Sequence, residues 1–158
     1  MILTVIRWKK LLVCVLIPLL VGGLSALITM GSMENFSSLN KPPLSPPGWL
    51  FPVVWTILFV LMGIASYIVL ERGSFAETRT ALFFYGAQLF FNFFWSIFFF
   101  NFELYYFSFL WLLALWVLII ITAVLFFRIS KPAGYLMIPY ILWVTFAGYL
   151  NLGIAILN

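Results

Sequence analysis

The chain contains no histidine and no aspartate, and its only acids are Glu34, Glu71, Glu77 and Glu103. Cys14 is the single cysteine. These absences remove whole classes of chemistry. Ser-His-Asp and Cys-His catalysis lack their base. A histidine zinc site and a histidine-ligated haem lack their ligand. One thiol forms neither an intrachain disulfide nor a cysteine metal cluster, so no metal site is expected. Charge of either sign is scarce: 8% of the 158 residues are charged and 66% are apolar, against about 25% and 45–50% in ordinary globular domains. A soluble domain of this size could not cover its surface with so few charges. The composition excludes a soluble globular protein and a disordered chain, and it points to one domain lying mostly in lipid.

The net charge of +4 does not indicate nucleic acid, because the basic residues form no patch. They sit in short clusters between apolar runs, the pattern that sets membrane topology. A helix needs about 20 apolar residues to cross the hydrocarbon core. Five such runs lie near Leu11–Met30, Gly48–Leu70, Thr80–Phe100, Leu104–Phe127 and Gly134–Leu157. A spanning segment must satisfy its own backbone, so the fold class is all-α, a single polytopic bundle of five transmembrane helices occupying residues 1–158. Asn101-Phe102-Glu103 is read as a tight turn, since one helix over Thr80–Phe127 would run to about 70 Å at 1.5 Å per residue. The first run has a signal-peptide look, with Arg7, Lys9 and Lys10 ahead of it and Leu24-Ser25-Ala26 inside it. Its length favours a retained helix.

With five spans, Arg7, Lys9, Lys10, Arg72, Arg79, Arg128 and Lys131 share one side of the membrane, and Lys41 lies alone on the other. The positive-inside rule then puts the N-terminus in the cytoplasm and the C-terminus outside. No span carries a charge well inside it, which argues against an ion channel, a proton pump or a voltage sensor. The lack of hydropathy symmetry between halves argues against a secondary transporter of the inverted-repeat type.

The first loop, about Gly31–Pro47, contains Lys41, Pro42, Pro43, Pro46 and Pro47, followed by Trp49. The prolines favour a stiff extended segment. It reads either as a rigid connector anchored by Trp49 at the interface, or as a lid over a ligand site. Pro52 is placed in the opening of the second helix. Pro18 and Pro139 fall inside their runs, where each deletes a helix hydrogen bond. The expected outcome is ordinary bending, or, at Pro139, a kink that widens the bundle beside a pocket.

Polar side chains within the spans are few and fall on faces. Gln88, Asn92, Trp95, Ser96 and Phe99 share one face of the third run. Tyr140, Ala147 and Asn151 share one of the fifth, with Trp143 at its edge, and Trp55 and Phe59 lie on one of the second. Amides are costly toward lipid, so these faces should point inward. Two uses fit: hydrogen bonding between helices, or an aromatic-walled cavity with a few polar groups that takes a small molecule. Trp8 and Trp49 read as interfacial belt residues. Trp111 and Trp116 could face lipid; Trp116, with no polar neighbour at helical spacing, is expected to pack against lipid or a dimer partner.

The segments Leu39-Asn40-Lys41-Pro42, Pro46-Pro47-Gly48-Trp49, Phe51-Pro52-Val53-Val54-Trp55-Thr56, Gln88 through Ser96 and Pro139 through Asn151 occur in an order and spacing that closely resemble the TspO/MBR family, the tryptophan-rich sensory proteins and mitochondrial translocator proteins. The resemblance implies a five-helix bundle, usually a homodimer, that binds porphyrins, haem and synthetic isoquinoline or benzodiazepine-type ligands. It requires no cofactor; porphyrin or haem is the ligand. On this resemblance Trp55 and Trp143 match the two pocket tryptophans, and Gln88, Asn92, Trp95 and Ala147 match other pocket-lining positions. Together with Phe59, Tyr140 and Asn151 from the face pattern they form the candidate ligand site, beneath a lid of Lys41, Pro42, Pro46, Pro47 and Trp49. The expected role is sensory, regulatory or transport, in a multi-pass protein of a bacterial cell membrane. The alternative is a light- and oxygen-dependent porphyrin-degrading enzyme in which Trp55 and Trp143 are the oxidisable partners.

The chain departs from the family where Trp-Tyr is common in the first loop and Asn35-Phe36 stands instead, and where Leu44 replaces a usual Trp. The basic residue of the animal cholesterol pattern is missing after Leu150, which makes cholesterol a poor candidate.

Overall fold

The computed structural model describes residues 5–158. Five long helical stretches are apolar and long enough to cross a membrane, and no strand occurs among the described residues. The first is α1 (Trp8–Thr29), followed by a 3₁₀ turn at Met30–Ser32 and the short α2 (Met33–Ser37). Then come α3 (Leu50–Arg72), α4 (Phe75–Ser96), α5 (Tyr105–Ile129), α6 (Lys131–Leu136) and α7 (Ile138–Leu157).

The breaks follow local chemistry. Ser74 and Glu77 form a reciprocal capping box, Ser74 Oγ accepting from the Glu77 amide at 3.3 Å and Glu77 Oε2 accepting from the Ser74 amide at 3.2 Å, which satisfies two orphan donors at the start of α4. α4 ends in a π-helical turn at Ile97–Asn101, and Glu103 takes a positive φ of 53° at the reversal into α5. Pro18 stays within an unbroken α1 and is fully buried. The Cys14 carbonyl that Pro18 cannot bond is covered from the neighbouring helix: a Cβ on Gly63 would sit 2.7 Å from that oxygen and 2.6 Å from Val15 Cα. Glycine is what allows α3 to lie directly on α1.

Two expectations are corrected here. The fifth run does not merely bend at Pro139. It breaks at Met137 into α6 and α7, with Pro139 in the first turn of α7, where its missing N–H has no helical partner to lose. The first loop is not extended throughout, because its opening residues are helical up to Ser37.

The helices form a ring in which α1 touches α3 and α4, α4 touches α5, α5 touches α6 and α7, and α6 returns to α3. Met62, Leu115, Ile119, Phe126, Met137, Tyr140 and Val144 are fully buried along its axis. A Cβ on Gly134 would meet Phe127 at 2.5 Å, so α6 is seated tightly on α5. α6 also closes the ring against α3, whereas the backbones of α3 and α7 stay apart. The break at Met137 therefore leaves one seam that is shut at the α6 end and splayed at the other.

Arg72, Arg79, Arg128 and Lys131 sit at the helix ends on the α6 side, where α1 begins as well. There Lys10 Nζ pairs with Glu71 at 2.6 Å and Arg7 approaches the same carboxylate at 3.6 Å. The opposite end is covered by the segment between α2 and α3. Pro42 is buried against Gly153, Tyr149 donates its hydroxyl to the Pro43 carbonyl at 2.7 Å, and Asn158 binds both the amide and the carbonyl of Asn40.

Candidate functional site

The splayed part of the α3–α7 seam holds an open groove of about 390 Å³, within the usual range for small-molecule sites. Val54, Leu58 and Leu61 of α3 form one wall; Pro139, Trp143 and Phe146 of α7 form the other. The groove faces outward from the bundle, on the surface that meets lipid. Behind it the seam is spanned by aromatic rings. Trp55 stacks on Phe59 at 5.6 Å and meets Tyr140 edge-on at 6.1 Å. Phe51 meets Trp143 edge-on at 5.8 Å, and Trp143 leans on Phe146. The indole Nε1 of Trp143 is buried and has no hydrogen-bond partner. An indole N–H normally finds an acceptor when buried, so this one is an exception.

The sequence-predicted residues fall into two groups. Trp55, Phe59, Tyr140 and Trp143 come together at the seam, and Ala147 is buried one turn beyond Trp143. The amides are engaged deeper in the bundle. Tyr140 donates its hydroxyl to Gln88 Oε1 at 2.6 Å and accepts from Asn92 Nδ2 at 2.8 Å. Farther toward the covered end, Trp95 Nε1 donates to Asn151 Oδ1 at 3.0 Å, and Asn151 Nδ2 donates to the Tyr105 carbonyl at 2.8 Å. These amides hydrogen-bond between helices.

Among the lid residues, Pro42 is buried, Lys41 and Pro46 are half-buried, and Pro47 and Trp49 are exposed. Phe51, Val54, Leu58, Leu61 and Phe146 were not singled out as site residues from the sequence. Leu58 carries no signal beyond apolar spacing along α3, which any buried stripe shares, while Phe51, Val54 and Phe146 lie within the segments that resemble the family. Trp111 and Trp116 are half-buried, and the N–H of each is hydrogen-bonded. Trp111 donates to the Phe91 carbonyl at 2.7 Å and stacks on its ring, and Trp116 donates to Thr145 Oγ1 at 2.9 Å. Their partners come from other helices, beyond what spacing along one helix reveals.

The fold and this seam define a class: a five-span helical membrane protein with an aromatic groove between its second and fifth spans. Residues 14–157 match the TspO/MBR family model, and the chain belongs to that family. It is similar to a tryptophan-rich protein TspO of Chlorobaculum tepidum, 42% identical over 78% of each chain. A tryptophan-rich protein TspO of Archaeoglobus fulgidus is 36% identical over 94% of this chain and 97% of its own. The translocator protein of Bos taurus is 35% identical over 91% and 87%.

Proposed function

We propose that the protein binds porphyrins and haem at the α3–α7 groove and serves a sensory, regulatory or transport role in a bacterial cell membrane. The observation that carries this reading is the open groove of about 390 Å³, whose α7 wall carries the rings of Trp143 and Phe146. A flat apolar ligand would stack against these side chains. Trp55 and Phe59 supply a second aromatic layer behind the groove. Burial of about 300 Å² of apolar ligand surface at about 25 cal/mol/Å² gives roughly 7 kcal/mol. After ordering costs this corresponds to micromolar affinity at best. The proposed orientation has the α6 end, with its basic residues, in the cytoplasm.

The test is a titration of the purified protein with protoporphyrin in detergent and in bilayers, followed by absorbance in the dark and under illumination. The expected result is a saturable spectral shift in both. Absence of any shift overturns the reading. Loss of the bound pigment only in light would instead assign chemistry to Trp55 and Trp143.

A further inference from the structure

We propose that a cavity at the start of α4 holds an anionic phospholipid from the leaflet at the α6 end, its phosphate on Arg79 and an acyl chain along Phe83. The site is separate from the α3–α7 groove and does not depend on what that groove binds.

The outer face of α4 carries an open cavity of about 480 Å³, lined by Phe75, Ala76, Arg79, Thr80 and Phe83. Its shape follows from side-chain length. Ala76 and Thr80 are short, one turn apart, and leave the space. Phe75, Arg79 and Phe83 recur one turn apart along the neighbouring row and wall it. Thr80 turns its hydroxyl back to the Ala76 carbonyl at 3.2 Å, and the Phe83 ring meets Phe84 edge-on at 5.4 Å. The charge of this wall is unbalanced. Of the two acids at this end, Glu71 is taken by Lys10 at 2.6 Å and Arg7 at 3.6 Å. Glu77 accepts from the Ser74 amide, and residues two apart on a helix do not face each other, so it points away from Arg79. Arg79 forms no salt bridge among the described residues. The anion that balances it comes from outside the chain, and a guanidinium fork suits the oxygens of a phosphate.

The rings on either side say what kind of anion. Phe75 and Phe83 are 84% and 70% exposed, more than any other phenylalanine among the described residues. At 1.5 Å per residue, Phe75 lies about 6 Å outside Arg79 along the helix and Phe83 about 6 Å inside it. A cation set between two bare rings is at headgroup depth, not in free water. Helical side chains lean toward the N-terminus of their helix, which carries this guanidinium toward the membrane surface. A phospholipid meets all three residues, its phosphate at Arg79 and its first methylenes over Phe83. A free inorganic anion would use Arg79 and leave the rings bare. A second copy in the same orientation would need an unengaged carboxylate at this end, where Glu71 and Glu77 both have partners.

The experiment is native mass spectrometry of the full chain in detergent, with phosphatidylglycerol and phosphatidylcholine of identical acyl chains added in equal amounts. Phosphatidylcholine carries the same phosphate beside a cation of its own. The unmodified chain should retain phosphatidylglycerol with about fivefold preference, the effect of one basic side chain at an anionic membrane surface. Arg79→Gln should abolish the preference, Arg79→Lys should keep part of it, and Phe83→Ala should weaken retention of both lipids. Arg128→Gln removes a charge from the same end without touching the cavity and should leave the preference unchanged. No preference in the unmodified chain overturns the proposal. Equal losses in Arg79→Gln and Arg128→Gln would show diffuse attraction to the basic end and overturn the site. Displacement of the lipid by inorganic phosphate, with Phe83→Ala silent, would leave a bare anion site and overturn the lipid. Loss of a dimer in Arg79→Gln, with lipid retention unchanged, would give the face to a second copy and overturn it as well.

Discussion

Tyr140 of α7 and Gln88 of α4 are joined across the middle of the bundle by a 2.6 Å hydrogen bond, and both side chains are fully buried. With the Asn92 amide on the same hydroxyl, Tyr140 both donates and accepts in a fully buried position. Tyr85, one turn before Gln88 on α4, is buried as well, and its hydroxyl has no partner.

These two tyrosines should therefore respond oppositely to the same change. Tyr140→Phe strands an acceptor and a donor and should cost about 1–2 kcal/mol of stability, the scale of hydrogen bonds between membrane helices. Tyr85→Phe deletes an unpaired hydroxyl and should be neutral or stabilising. Thermal unfolding of both variants in one detergent checks the contrast, and equal losses would show that the central network contributes nothing.

Trp143→Ala should weaken porphyrin binding by about 1–3 kcal/mol, by analogy with bases stacked on aromatic side chains. Trp116→Ala removes a bond to Thr145 between α5 and α7, away from the groove. It should lower stability and leave affinity nearly unchanged. Paired titrations on variants matched for helical content by circular dichroism decide the point; comparable affinity losses would move the site elsewhere.

Haem and metal-free porphyrin should bind within about tenfold of each other, or 1.4 kcal/mol. The chain has no histidine to ligate iron, and among the described residues no cluster of metal-binding side chains exists. A much larger preference for haem would identify a sulfur or tyrosine ligand to the iron and contradict binding by stacking alone.

Single cysteines introduced at positions 2 and 158 should label from opposite sides of intact cells, position 158 from outside. The native Cys14 is buried and gives a low background. Labelling of position 2 from outside would reverse the proposed orientation.

The five spans were legible in the sequence because about twenty apolar residues in a row have few other uses, and because Ser74, Gly73 and Lys131-Pro132 punctuate them. The inward-facing amides were legible for the same reason that they are rare: Gln88, Asn92 and Asn151 had to turn from lipid. Their partners were not. The Tyr140–Gln88 and Trp95–Asn151 bonds join residues more than fifty positions apart, and spacing along one helix does not say what stands opposite. The groove was half legible. Pro139 marked a weak point in the fifth run, but whether the chain bends or breaks there depends on α6 docking against α3 and α5. The wall of Val54, Leu58 and Leu61 looks, in sequence, like any stretch of helix core.

Because the groove between α3 and α7 opens sideways rather than through either end of the bundle, the bilayer is the solvent from which the proposed ligand would arrive. An affinity referred to the aqueous phase then combines two equilibria, partition into the hydrocarbon and capture at the groove. A pigment that dissolves well in lipid will seem tightly bound even when capture is weak. Increasing the amount of lipid at fixed protein will dilute it away from the groove, with no change in any residue that touches it.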